Sequence, residues 1–299
     1  MGMRVATFAS SDRLLQAALK VQAKQAEATL QQASGQISED YGGLGSKAGS
    51  VVSLQSSISM SKSYAEAAST AGDRVEAMYD AVDSIIEQIT SMKATLSSFA
   101  STTSGTDELK VTAEEMLESL ASLMNTQLGG RYLFSGSAVD TAPVDLDSLA
   151  TATSPSSSDT SYYRGDDAIT SVKVSSEQTV SYGVTADDEN FEKALRALSL
   201  VASGATDEDT LSEASDLLDE AISGLATVQT RLSLNASALE TAISDQENYQ
   251  EFAGNLATSL SGVDVAVVAA EMSAYETQLQ AAYAAIGNIA SLSLSSYLS

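Results

Sequence analysis

The chain has 299 residues and a formal net charge of −25, and it contains no Cys, His or Trp. Without Cys it has no disulfides, thiol nucleophiles or thiolate metal sites, and without His it lacks the commonest general base and metal ligand. An acidic chain without a basic cluster is also a poor partner for nucleic acid or an anionic membrane surface.

The first part of the chain has the apolar spacing of long helices. Residues 4–37 and 51–99 repeat apolar side chains every three to four positions, and the Gly-rich stretch 34–48 predicts a flexible connection between them. A further helix over 109–123 is expected to end at Gly129-Gly130.

The middle of the chain changes character. Four segments are rich in β-branched and aromatic residues and predict strands: 132–134, 162–163, 169–174 and 179–184. Thr151 to Ser161 is mostly Ser and Thr and predicts a loop. We interpret residues 132–190 as one β-rich insert.

Helical spacing returns at Phe191 and continues almost to the end of the chain. Thr206 followed by Asp209 predicts the cap of a second very long helix, which breaks near Ser261-Gly262. In the last helix, apolar residues alternate at steps of three and four, as in a coiled-coil seam: Val265, Val268, Met272, Tyr275, Leu279, Ala282, Ile286 and Ile289.

The two ends of the chain have opposite charge. Lys and Arg are absent from residues 232–299, whereas the first two dozen residues carry four of them and one acid. The apolar residues selected on the first helix are Leu15, Leu19, Leu30 and Ile37. We therefore expect the first and last helices to pack on each other, although such spacing is also typical of an ordinary monomeric bundle core.

These observations predict a mainly α protein. The expected fold is an elongated antiparallel helical bundle or coiled coil, formed by the N- and C-terminal legs, with a small β-rich insert. We expect a terminal coiled-coil domain (1–40 and 263–299), a helical bundle domain (41–131 and 191–262) and the outer insert (132–190).

No constellation of residues predicts catalysis, and we expect no enzyme activity, cofactor or metal site. Acidic clusters occur at Glu114-Glu115, Asp166-Asp167, Asp187-Asp188 and Asp207 to Asp209. They lack EF-hand spacing, and adjacent residues point in different directions, so helix caps and solvated faces explain them better. We find no signal peptide and no apolar run of the ~20 residues that cross a membrane.

Several segments resemble the bacterial flagellin superfamily, and within it the proteins of the junction between hook and filament. The segments are Met3–Thr7, Leu30–Ile37, Asn125–Ser137 (NTQLGGRYLFSGS), Thr141–Val144, Tyr163–Asp166, Leu260–Val265 and Leu292–Leu298. The motif residues that carry most of the likeness are Arg131, Tyr132, Leu133, Phe134, Ser135, Gly136, Tyr163, Gly165 and Asp166. The Gly-rich run Glu39–Ala48 departs from the family pattern.

The resemblance implies a structural, non-enzymatic protein of the flagellum. Such a protein is extracellular, is exported by the flagellar type III apparatus without a cleaved signal, and assembles as a ring through its terminal helices. Its implied partners are further copies of itself, the adjoining hook-associated protein, flagellin, and a cytoplasmic export chaperone on the C-terminal helix. Alternatives are a filament-forming flagellin, a flagellin-like protein with a ligand-binding or enzymatic outer domain, and a cytosolic coiled-coil scaffold.

Overall fold

The protein is mainly α-helical, as predicted. The computed structural model describes the backbone of residues 2–102 and 105–298 and the side chains of residues 12–99 and 105–289. The family-like side chains of Met3–Thr7 and Leu292–Leu298 lie outside that part. The described helices are α1 (Gly2–Ser34), α2 (Ala48–Thr102), α3 (Thr106–Met124), α4 (Glu189–Ala202), α5 (Glu208–Ser261) and α6 (Val265–Leu298). None of the described helices is both long and apolar enough to span a membrane.

The chain forms two compact units. The first consists of Met1–Ser59 and Gln250–Ser299, and the second of Met60–Tyr249. Helices α2 and α5 contribute residues to both. The threefold domain division expected from the sequence stays a prediction.

The second unit is built on an antiparallel pair made by α2 and α5. Ser61 Oγ donates to the carbonyl of Gln246 at 3.0 Å, Gln229 Nε2 donates to Asp83 Oδ1 at 2.8 Å, and Lys93 forms an ion pair with Asp219. Residue numbers therefore rise along α2 as they fall along α5. Helices α3 and α4 pack on each other, and the apolar faces of all four helices join one core.

Two expected helix boundaries are wrong. Helix α3 ends at Met124, and Gly129-Gly130 lie beyond it at the turn of a β-hairpin. Asp207 caps α5, since its Oδ1 accepts the backbone N–H of Thr210 at 3.0 Å, so the predicted cap was one residue too early. The Gly-rich connection is also more ordered than expected, because Asp40 caps a short 3₁₀ helix over Tyr41–Lys47.

The insert contains less strand than predicted. One hairpin lies at its start, β1 (Gln127–Leu128) with β2 (Arg131–Tyr132), and one lies within it, β3 (Ser171–Lys173) with β4 (Thr179–Ser181). Most of the remaining insert is irregular backbone that side chains hold in place. The prediction of a small β-containing insert is confirmed, whereas the expected strand lengths are too long.

Candidate assembly interface

Helices α1 and α6 pack on each other, which confirms the pairing expected from the sequence. Two main-chain hydrogen bonds join the segment that follows α1 to the junction between α5 and α6: Ile37 N–H donates to Ser261 O at 2.7 Å, and Val263 N–H donates to Gly35 O at 3.0 Å. Gly35 ends α1 with φ at +70°, a conformation that glycine adopts without strain. Because α6 starts where α1 ends, the two helices are antiparallel.

The predicted seam of α6 lies largely in this pair. Val268 and Leu279 are buried, and Met272 and Tyr275 are half-buried. Ile286 and Ile289 are also half-buried, whereas Val265, at the start of the helix, is 47% exposed. A regular alternation of three and four was sufficient to identify the buried face.

On α1 the selected leucines do not lie in the contact face with α6, and their place in an assembly interface stays a prediction. Leu15, Leu19 and Leu30 are 48%, 56% and 57% exposed, while Ala18 and Ala28 are buried. The residues of the contact face are half-buried or buried, and they too are spaced at steps of four and three: Leu14, Ala18, Val21, Gln25 and Ala28. Leu14 and Ala18 each lie one position before an exposed leucine. The most buried residues of this face are the two alanines, whereas Leu15, Leu19 and Leu30 point away from it. Ile37 lies beyond the helix and is half-buried.

Leu15, Leu19 and Leu30 form an uncovered apolar stripe on α1, which we call the leucine stripe. Their spacing places them within about 60° of one another around the helix. On α5, within the same unit, Phe252 and Leu256 are 65% and 39% exposed and lie one helical turn apart. Uncovered large apolar residues grouped in this way are typical of a protein interaction surface.

No ion pair joins the described side chains of α1 to those of α6. Arg13, Lys20 and Lys24 are exposed, and among the described residues none of them forms an ion pair. The opposite charge of the two ends therefore predicted the pairing correctly, but for a reason that the contacts do not support.

The motif residues of the insert come together around Asp166. Its Oδ1 accepts the backbone N–H groups of Ser137 at 2.8 Å and Ala168 at 3.1 Å, and its Oδ2 accepts the hydroxyl of Ser137. Tyr163 donates its hydroxyl to the carbonyl of Asp166 at 2.6 Å. The two motif segments are thus tied to each other by side chain to main chain hydrogen bonds.

Glycine is required at two positions in this cluster. Gly136 has φ at +69°, and a Cβ there would overlap the carbonyl and carboxylate oxygens of Asp166. A Cβ on Gly165 would lie 2.5 Å from the carbonyl oxygen of Ser135. The motif therefore specifies a close approach of two backbone segments.

Phe134 anchors the insert to α4, and Phe134 and Tyr162 both bind the backbone of Ala186 within the insert. Phe134 is buried and meets Phe191 of α4 edge to face, with ring centroids 5.8 Å apart and an interplanar angle of 83°. The carbonyl of Phe134 accepts the N–H of Ala186 at 2.9 Å, and Tyr162 donates its hydroxyl to the carbonyl of Ala186 at 2.9 Å. Burial raises the pKa of Tyr162 above its ordinary value, so the hydroxyl stays a donor. Leu133 is buried, Tyr132 is half-buried and Arg131 is exposed.

The Ser/Thr-rich loop is fastened to the helices through its backbone. The N–H of Ser156 donates to Glu213 Oε1 on α5 at 2.8 Å, and the N–H of Asp159 donates to Glu192 Oε1 on α4 at 3.0 Å. Glu192 is buried and forms an ion pair with Arg196 at 3.1 Å. Composition predicted a loop here but gave no sign of these anchors.

The acidic clusters act mainly as caps and hydrogen-bond acceptors. Asp188 caps α4 by accepting the N–H of Asn190 at 3.1 Å, Asp207 caps α5, and Asp166 binds Ser137. Among the described residues, no group of three or more carboxylates is placed to hold a metal ion.

Acid is expected to destabilise the insert. Hydrogen bonds from Ser137 hold the pKa of Asp166 below its ordinary value of 3.8, and bonds from Arg164 and Ser161 do the same for Asp145 and Asp159. A lowered folded-state pKa adds stability above the unfolded pKa, and that stability is lost as the pH falls toward the folded value. In thermal unfolding followed by circular dichroism, Asp166→Asn should lower the midpoint at pH 7, and its gap from the parent should shrink below about pH 4.

Asp167→Asn is the matched control, because Asp167 is exposed and adjacent. It should leave the midpoint nearly unchanged. A gap between Asp166→Asn and the parent that stays constant from pH 7 to low pH would contradict the assignment.

The comparisons with known proteins agree with this geometry. The family model of the bacterial flagellin C-terminal helical region matches residues 215–298. No curated protein matches the chain in sequence. A solved structure from Vibrio parahaemolyticus, assigned to a flagellar hook-associated protein, is 17% identical with a TM-score of 0.61, covering 75% of this chain and 99% of that chain.

The structure of Bacillus cereus FlgL is 13% identical with a TM-score of 0.47, covering 67% of this chain and 98% of that chain. Residues 215–298 match the bacterial flagellin C-terminal helical region, so the resemblance to flagellins is confirmed for that part of the chain, and the Vibrio structure shows that the fold is shared.

Proposed function

We infer that this protein is a structural component of the bacterial flagellum, which assembles between the hook and the filament. The observation that carries the proposal is the antiparallel α1–α6 pair with its uncovered leucine stripe. It is supported by the flagellin C-terminal region and by the fold of the Vibrio hook-associated protein.

Assembly would be driven by burial of the leucine stripe against a neighbouring copy. Covering one leucine side chain contributes about 1.5–3 kcal/mol at full burial, and these three are already about half covered. A contact between two different surfaces of the same chain closes into a ring when its rotation closes. The stripe on α1 and the exposed pair Phe252 and Leu256 on α5 are two such surfaces.

The partners follow from this role. They are other copies of the chain, the adjoining hook-associated protein and flagellin, with the assembled protein outside the cell in the flagellum. Before assembly, a cytoplasmic export chaperone would cover the apolar seam of α6, which α1 covers in the folded subunit. Export through the flagellar type III apparatus suits a chain that has no Cys to cross-link. The role is structural and requires no catalytic residue.

A filament-forming flagellin is the second candidate, favoured by the match of residues 215–298 to a flagellin region. Deletion of the gene separates the two. An adaptor predicts cells with complete hooks, no filaments and flagellin monomers released into the medium, all reversed by the intact gene. Filaments of normal number on the deleted strain would refute the adaptor, and purified protein that polymerises alone into long filaments would establish the alternative.

A further inference from the structure

We propose that the tip of the β1–β2 hairpin docks into a groove between α2 and α5 on a second copy of this chain. The proposal rests on the function inferred above and adds a contact in the second unit, separate from the terminal helices. The two surfaces differ, so the contact is head to tail and is compatible with a ring.

The hairpin tip presents one apolar and one cationic side chain together. Leu128 and Arg131 are directly paired across the hairpin, so their side chains project from the same face. Gly129 and Gly130, at φ of +61° and +76°, form the tight turn between them. Leu128 is 37% exposed, and Arg131 is exposed with no ion-pair partner among the described residues.

The groove has the complementary chemistry. It is an open cavity of about 520 Å³ with an apolar floor that includes Val75, Leu239 and Ile243. Four acidic residues also line it: Asp73, Glu76, Asp80 and Glu240. All four are exposed and have no ion-pair partner in the described part of the chain. Gly72 leaves the helix backbone accessible at the wall, since a Cβ built there meets no atom within 4 Å.

The carboxylates of the groove favour a cationic partner. The chain carries 15 Lys and Arg against 40 Asp and Glu, so cations are the minority charge on its surface, and in the second unit Arg131 is an exposed cation beside an exposed leucine. Leu128 can cover the apolar floor while the guanidinium of Arg131 reaches the carboxylates at the rim. A contact of this kind weakens with salt and is specific for the hairpin face.

Cross-linking between two differently tagged full-length copies tests the proposal. The parent has no Cys, so Gln127→Cys on the hairpin of one copy and Ser69→Cys at the groove of the other give a single reactive pair for a short bismaleimide. The matched control is Ser97→Cys, exposed on the same helix and about 40 Å further along it. The hairpin and groove pair should yield about fivefold more heterodimer than the control pair.

Charge reversal gives the second readout. Arg131→Glu in the hairpin copy should lower the yield to the control level, and Glu76→Lys with Asp80→Lys in the groove copy should restore it. Equal yields for groove and control, or no response to Arg131→Glu, would overturn the docking. If light scattering still reports assembly of the parent in that case, the proposed function stands; absence of any assembly would remove both.

Discussion

Leu19→Asp is expected to leave the free subunit folded and to abolish its assembly. Leu19 is 56% exposed on α1, so a charge there costs the monomer less than about 1 kcal/mol. In an assembled interface the same change forfeits the burial of a leucine and desolvates a carboxylate, which we expect to weaken each contact by about 3 kcal/mol, or roughly a hundredfold. Thermal unfolding and light scattering on the purified protein measure the two effects separately.

Two further variants serve as comparisons for Leu19→Asp. Ala17→Asp adds the same charge on the opposite side of α1, where Ala17 is exposed, and should assemble normally. Leu279→Asp places the charge in the buried α1–α6 seam and should instead cost about 4 kcal/mol of folding stability in the first unit. Normal assembly of the Leu19→Asp protein would show that the leucine stripe is not an interface.

Gly136→Ala is expected to have the largest effect on the second unit. Its positive φ strains any residue with a Cβ, and that Cβ would overlap the backbone oxygen of Asp166, which cannot move away freely. The combined cost is about 3–5 kcal/mol. Urea unfolding followed by circular dichroism measures the change in the free energy of unfolding.

Gly72→Ala is the control for this substitution. Gly72 lies within α2, and a Cβ built on it meets no atom within 4 Å, so alanine should stabilise the helix by about 0.5–1 kcal/mol. If Gly136→Ala cost less than about 1 kcal/mol, the close approach at Asp166 would not be a requirement of the motif.

The two terminal helices show what periodicity can and cannot predict. On α6 the alternation of large apolar residues at steps of three and four was enough to identify the buried Val268 and Leu279, although Val267 and Tyr283 are apolar and exposed outside it. On α1 two stripes lie side by side, and ranking residues by hydrophobicity selects Leu15 and Leu19 over Ala18. The choice between them depends on how closely α6 approaches, which is a tertiary property. The spacing of Leu14, Ala18 and Val21 was the signal available.

The insert was harder to predict because its order comes from contacts distant in sequence. Asn125 hydrogen-bonds both backbone groups of Val144 through its side chain, at 2.9 Å each, in place of a longer strand. The bond between Asp166 and Ser137 likewise spans 29 residues. Propensity predicts where β-compatible residues lie, whereas such bonds depend on the folded topology. The family-like segments Asn125–Ser137 and Tyr163–Asp166 contain the residues that meet here, but their contact was not predicted from the sequence.

Gly129-Gly130 illustrates a local ambiguity. Two glycines after a helical pattern are a usual helix end, but they also form the two-residue turn of a hairpin. Asn125 and Thr126 already end the helix, because the Asn125 side chain pairs with Val144 and the carbonyl of Thr126 accepts the N–H of Leu133 at 3.1 Å. Both partners lie further along the chain, so the helical spacing alone could not decide.

The position of the protein in the flagellum tests the central claim most directly. Sheared flagella with hooks attached, labelled with a gold-tagged antibody against the insert, are examined by electron microscopy. A junction adaptor predicts label in a narrow band where the hook meets the filament. Label along the whole filament, or none on intact flagella, would contradict it.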